Sequence, residues 1–441
     1  MFTIDSKKLY IILASGIAIL VFITVILILR GTGNNSEGPR VNLEFWGVFD
    51  TYQDFSKTIS NFQAIYPNIS VNYKQFSFED YEKELINALA EGRGPDILMI
   101  HNTWLPKHID KLVPLPASIP PDIPRTMTFR EYQNQFVEVA VNDLTRNGQI
   151  YAIPLYVDTL ALYYNRDLFN NAGITEPPRN WDEFNYAVER LTRFDSFNNI
   201  VQAGAAIGTS NNINRSTDIL MALMIQSGTQ MTDDKNTIAT FAQSINNIPV
   251  GEIALKYYTD FANPKVKTYT WNDIQDYSID AFAAGKVAMM FNYSHQTKIL
   301  NAKNARLNYL IAPMPQISDT NIKNFANYWA VAVSKKTSAV NEAWKFLSYL
   351  STRDGILTYL TETMKPSARR DIIEIQKNDF RLGVFANQSI TAKSWYQVDN
   401  SAIETIFSEM INNVNSRRMS PSEAISKAQS EVNVLMTKNR R

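Results

Sequence analysis

Asp158 is the only carboxylate between Tyr151 and Tyr164, a strand-like run of apolar and aromatic residues. Burying an unpartnered carboxylate is costly, so this run is expected to deliver Asp158 to a crevice rather than to a core. Two other segments set an indole beside polar groups: Trp46 with Asp50, and Asn102, Thr103 and Trp104 in succession. A carboxylate accepts two neighbouring hydroxyls in charge-assisted bonds. An aromatic wall covers the apolar face of a ring. These residue types suit non-covalent capture of a hydroxyl-bearing solute. The competing readings make Asp158 the partner of a basic group or a strand-end cap, and Trp46 a core residue, since tryptophans are mostly buried.

Covalent chemistry finds less footing. The only histidines are His101, His108 and His295, and the first two lack the spacing that makes a metal site on a helix. There is no Gly-x-Ser-x-Gly elbow. Gly285-Lys286 lacks the earlier glycine of a phosphate-binding loop. No catalytic residue, metal or cofactor is expected. Carboxylate pairs for glycoside cleavage depend on three-dimensional spacing, which leaves a surface carbohydrate-acting enzyme as an alternative.

The elements that would position these groups alternate in type. Val41 to Trp46 alternates as a strand. Phe55, Ile59, Phe62 and Tyr66 recur at helical spacing until Pro67-Asn68. Ile69, Val71 and Tyr73 form a second strand, and Ser77 with Asp80 opens a helix through Tyr81, Leu85 and Leu89. Gly92 and Gly94 end it, before a buried strand from Pro95 to Ile100. This β-α-β-α-β order is that of a parallel sheet covered by helices, in which ligands lie beyond the carboxyl ends of strands. The loops there are Trp46 to Asp50, Gln75-Phe76, and His101 to Trp104. Further along, helices are expected from Asn180 through Leu191, over 217–226, 253–261, 279–284 and 342–350, and in the tail from Ser401 with a cap at Ser420. Val287 to Asn292 and Ala330 to Val333 read as buried strands.

At 441 residues the chain calls for two or three domains. Its 43 basic residues balance 43 acidic ones, which argues against a nucleic-acid surface and for an uncharged ligand. Absence of cysteine removes disulfides and any lipid-modified cysteine anchor. Leu9 to Leu29 carries no charge between Lys7-Lys8 and Arg30, and as a helix would span roughly 31 Å, one bilayer core. With Arg30 following at once, a retained signal anchor is favoured over a cleaved signal. Gly31 to Pro39 is a polar, Gly-rich linker.

Several stretches, in order, resemble family 1 extracellular solute-binding proteins of the maltose-binding-protein type. They are Phe62 to Val71; Gly94 to Ile97 with Trp104 to Pro106 and Leu112 to Leu115; Tyr151 to Phe184; Phe282 to Asn292; Ala312 to Pro315; Tyr328 to Lys335; and Ala343 to Leu347. The resemblance covers nearly all of residues 40 to 435. It implies an α/β, two-lobed periplasmic-binding-protein fold of type II, each lobe a mostly parallel sheet with helices, here preceded by an N-terminal transmembrane helix. The implied division is 1–8 cytoplasmic, 9–29 anchor, 30–40 linker, 41–156 with 314–366 first lobe, and 157–313 with 367–441 second lobe. Hinge crossings are expected near Asp158 and Pro313.

The resemblance also implies roles. Asp158 takes the family's acidic ligand position, and Trp46 and Asp50 lie in a ligand-contacting loop. Asn102, Thr103 and Trp104 join them on their own position past a strand end, not on the resemblance. Trp395 and Tyr396 match a late aromatic segment whose tryptophan stacks on sugar, against ordinary helix packing. Asn292 and His295 lie where many sugar-binding members carry a stacking tryptophan at the position of His295, and there this chain departs. Arg369 matches a ligand-proximal loop, against a surface arginine. A monomer held outside the cell membrane by its anchor would carry a small solute, a sugar or oligosaccharide, to the permease subunits of an ABC importer with a separate ATPase. An anchored sensory or adhesive module on the same fold is the remaining alternative.

Overall fold

The computed structural model describes residues 39–438. The proposed anchor and most of the linker lie outside them. Among the described residues no helix is long and apolar enough to cross a membrane.

The amino-terminal alternation forms as its pattern requires. Strand β1 (Val41–Val48) buries Leu43 and Phe45 on one face. Helix α1 (Tyr52–Ile65) follows a Thr51–Asp54 capping box and buries Phe55, Ile59 and Phe62. Strand β2 (Ile69–Phe76) pairs in parallel with β1. Helix α2 (Phe78–Ala90) starts where Ser77 accepts a bond from the Asp80 amide, and stops before Gly92, whose φ of +72° suits glycine. Strand β3 (Ile97–His101) is buried along its whole length and pairs with β1. The later expectations land within a few residues, as helices Trp181–Leu191, Ser216–Gln226, Val250–Asp260, Ser278–Ala283, Val340–Ser351 and Asn400–Asn415. Ser420 and Glu423 exchange capping bonds before Pro421–Lys438.

These elements assemble into two lobes, each with its own sheet and core. Neither sheet is mostly parallel, contrary to expectation. In the first lobe only β1–β2 and β1–β3 are parallel, whereas Trp329–Ser334 runs antiparallel to β3, Leu112–Val113 and Ala152–Pro154. In the second, only Ile200–Ala205 with Val287–Asn292 is parallel. The reason is the shared chain. Trp329–Ser334 and Ala161–Asn165 enter their lobes from the interlobe side, so each runs against the strands that end there.

Among the described residues the chain crosses between the lobes three times. Asp158–Thr159, Asn324–Asn327 and Ala392–Lys393 lie side by side as a three-stranded hinge sheet. The second crossing is therefore at Asn324–Asn327 and not at Pro313. Met314 and Phe325 pack in the second core, and Ala326, Ala368 and Ile373 in the first.

Candidate functional site

A cleft of about 460 Å³ opens between the lobes against the hinge sheet. From the first lobe it is lined by Phe49, Phe78, His101, Trp104, Trp329 and Lys365, among others. The second lobe supplies Arg215, Asp218, Tyr293, His295 and Ile299, and the hinge supplies Asp158 and Asn327.

Asp158 reaches this cleft, though its oxygens are already engaged. One accepts bonds from the Ser294 amide (2.9 Å) and hydroxyl (2.6 Å), and the other from the Thr159 amide (2.9 Å). Burial pushes its pKa up to about 7, against these bonds, which favour the charged form. His101 bonds Thr103 through Nδ1 (2.8 Å) and Asn327 through Nε2 (3.3 Å). Burial lowers both His101 and His295 to about 4, with Arg215 adding to the effect. Both rings are thus neutral near pH 7. Asn102 donates to Asp143 (3.0 Å), whose pKa burial raises to about 6.

Trp104 is buried. Its ring lies parallel to Tyr81 at 6.0 Å, and its indole N–H donates to Asn400 of the second lobe at 2.8 Å. One turn on, Lys107 sits between Glu82 (2.8 Å) and Asp399 (2.9 Å). The two lobes are therefore bonded directly at the cleft edge.

The structure gathers Asn102, Thr103, Trp104, Asp158 and His295 around one cavity. Trp395 and Tyr396 line a second interlobe cavity of about 420 Å³ that shares Asn102, Thr103, Ser394 and Gln397 with the first. There the Trp395 indole N–H points at the Met221 sulfur (3.2 Å), and the Arg146 guanidinium covers the Tyr396 ring at 5.5 Å. Four others lie elsewhere. Trp46 is still inside β1, under Lys74 and against Phe76, because the strand runs on to Val48. Asp50 is spent on Lys365 (2.5 Å) and Tyr359 (2.8 Å). Asn292 is fully buried and bonded to Asn214 and the Tyr293 amide. Arg369 clamps Asp371, Gln135 and the Ser351 carbonyl inside the first lobe. Of the three tryptophans expected to share a wall with Asp158, only Trp104 does so.

Sequence reasoning missed Arg215. It precedes helix Ser216–Gln226 at a φ of +64°, and its Nε is buried with no hydrogen-bond partner. Its guanidinium lies 5.6 Å from the Tyr293 ring centre. Burial works against its charge, but Asp218, Tyr293 and Glu404 outweigh that and hold its pKa up. Nothing in the local sequence marks this arginine. Phe49 and Trp329 had signals, since both fall within segments already singled out, though as neighbours of the residues chosen. Among the described residues no group of His, Asp or Glu is arranged to hold a metal ion.

Residues 49–356 match the family model described as bacterial extracellular solute-binding protein. The chain belongs to that family. As a solute-binding protein it is 23% identical to a putative binding protein of Brucella abortus (strain 2308) over 307 residues, 68% of this chain and 69% of the relative. It is 24% identical to the multiple sugar-binding protein of Streptococcus mutans over 356 residues, 78% and 79% of the two chains. Among solved structures, an ABC transporter solute-binding protein of Thermotoga lettingae bound with alpha-D-tagatose aligns with a TM-score of 0.68 and 24% identity. That alignment covers 90% of this chain and 99% of the other. The two-lobed α/β fold is common to both.

Proposed function

We propose that this protein captures a carbohydrate in the 460 Å³ cleft and presents it to the permease subunits of an ABC importer. The observation that carries this reading is the chemistry of the cleft wall. Aromatic rings (Trp104, Trp329, Tyr293, Phe49) stand among groups that offer both donors and acceptors, and the Arg215 Nε is left without a partner. Charged groups facing the cleft balance, with Arg215 and Lys298 against Asp218 and Glu404, while Lys365 is paired with Asp50 and burial raises the Asp158 pKa to about 7; this suits a neutral, hydroxyl-rich solute.

Arg215 and Tyr293 belong to one lobe and Trp104 and Trp329 to the other. A ligand touching both sets stabilises the closed arrangement, because only there are all contacts made. Outside the described residues, the apolar stretch 9–29 serves in this reading as the membrane anchor, with the lobes held outside the cell as a monomer. The relatives, named as binding proteins, lend no support to the enzyme alternative.

The test uses residues 40 onward, purified and analysed by mass spectrometry for co-purified small molecules, then by calorimetry against sugars and non-sugar solutes. A carbohydrate is expected to bind, with affinity reduced about tenfold or more in Arg215→Met. Binding confined to amino acids, peptides or metal ions would sink the reading.

A further inference from the structure

Phe49 and Phe78 are 54% and 49% exposed, yet they are organised. Their rings stack at 5.4 Å with 23° between planes. Phe49 meets Trp329 edge-on at 5.8 Å, and Phe78 meets it at 6.3 Å. Trp329 is itself buried beside His101 and Trp104. The three rings thus make one aromatic strip leading from solvent to the cleft wall. Its outer members come from separate segments, the residue just after β1 and the first residue of α2.

The pair lies outside the lobe's buried core. The lobe's buried core holds Phe45, Phe55 and Phe62, whereas Phe49 and Phe78 leave about half their surface in water. Phe49 also sits at a φ of +63°, a conformation that disfavours bulky residues and that glycine would adopt without strain. Non-glycine residues held there collect at ligand clamps. Across the mouth, the second lobe contributes Lys298 and the 40%-exposed Ile299 to the same cavity.

We infer that the Phe49–Phe78 pair is a rim platform on which the outer ring of a carbohydrate chain rests, so that this protein selects ligands of more than one sugar unit. The inference rests on the carbohydrate reading above. The inner unit takes the polar groups around Arg215 and Asp158. The next unit lays its apolar face on the two phenyl rings, with Ile299 opposite and Lys298 within reach of its hydroxyls.

Calorimetry with linear gluco-, manno- and arabino-oligosaccharides of one to five units tests it on the wild type, Phe49→Gly and Phe78→Ala. Wild-type affinity is expected to rise with length beyond one unit. Phe78→Ala should lose about tenfold on the longest ligand bound and under about twofold on the shortest. Phe49→Gly should show the same length-dependent loss while its melting temperature stays level or rises, because strain is relieved. Equal losses at every length, or no loss, overturn the platform. So does a wild type that binds single sugars with no gain from length, which leaves carbohydrate capture standing. A melting temperature lowered in Phe49→Gly with binding intact assigns Phe49 to packing and also overturns it. If no carbohydrate of any length binds the wild type, both readings fall.

Discussion

Replacing Asp50 with asparagine separates a structural carboxylate from a ligand-binding one. Asp50 lies in the ligand-contacting loop of the family resemblance, but its oxygens face inward to the Lys365 ammonium at 2.5 Å and the Tyr359 hydroxyl at 2.8 Å. The two side chains of the ion pair are 6% and 13% exposed. Removing one partner of a buried pair costs about 3–5 kcal/mol, because the remaining charge is left uncompensated. Here Lys365 keeps its bond to Tyr359 (2.9 Å) and the Tyr156 ring at 4.4 Å, and it borders a cleft that water can enter. These remaining contacts bring the cost to or below the lower end of that range, about 2–3 kcal/mol. For a unit of about 150–250 residues that lowers Tm by roughly 4–12 °C. Urea unfolding followed by tryptophan fluorescence measures the loss, and calorimetry with the ligand should show affinity within about threefold of wild type. A variant that loses under about 0.5 kcal/mol of stability while ligand affinity falls more than tenfold would refute the reasoning.

Four further outcomes are expected. Asp158 is pushed up to about 7 by burial, so the folded state holds its proton where the unfolded state has lost it. Wild-type stability should therefore fall relative to Asp158→Asn as pH rises from about 4 to 7, and a pH-independent difference in urea midpoints would contradict this. His295, lowered to about 4 by burial, has the opposite sign: the unfolded state binds the extra proton, so wild type should gain on His295→Gln as pH rises from about 4 to 6.5. Asn400→Ala removes the acceptor of the Trp104 indole N–H. At about 1 kcal/mol it should favour the open form roughly fivefold, seen as a shift in interlobe distance by fluorescence energy transfer; an unchanged distribution means the bond does not hold the lobes. Arg369→Ala strips charge-assisted bonds to Asp371, Gln135 and Ser351 and should cost about 3 kcal/mol with ligand affinity intact. A stable variant that no longer binds would return Arg369 to the ligand site.

Most of the secondary structure was legible because its causes are local. Phe55, Ile59 and Phe62 fall on one helical face, Ser77 and Asp80 meet at one helix start, and the glycine at 92 ends that helix at a positive φ. Such features depend on residues a few positions apart, and a single chain displays them. The candidate site was legible only in part. Asn102, Thr103 and Trp104 follow the end of β3 and so reach the cleft. Trp46 failed on a small shift: β1 continues to Val48 and carries Phe49, not Trp46, to the rim. On a strand, moving the end by a residue or two changes which side chain leaves the sheet and on which face.

By itself, then, the sequence determined the alternation of strands and helices, the balanced charge, and a lone carboxylate bound for a crossing. Tertiary structure alone decided how each polar group is spent. Asp50 was committed to Lys365, Arg369 to Gln135 and Ser351, and Trp104 to Asn400, while Arg215 Nε was left without a partner. The physical reason is distance along the chain. Whether a charge is neutralised or free depends on groups hundreds of residues away, which only the packing of two lobes on a three-stranded hinge brings within hydrogen-bond range.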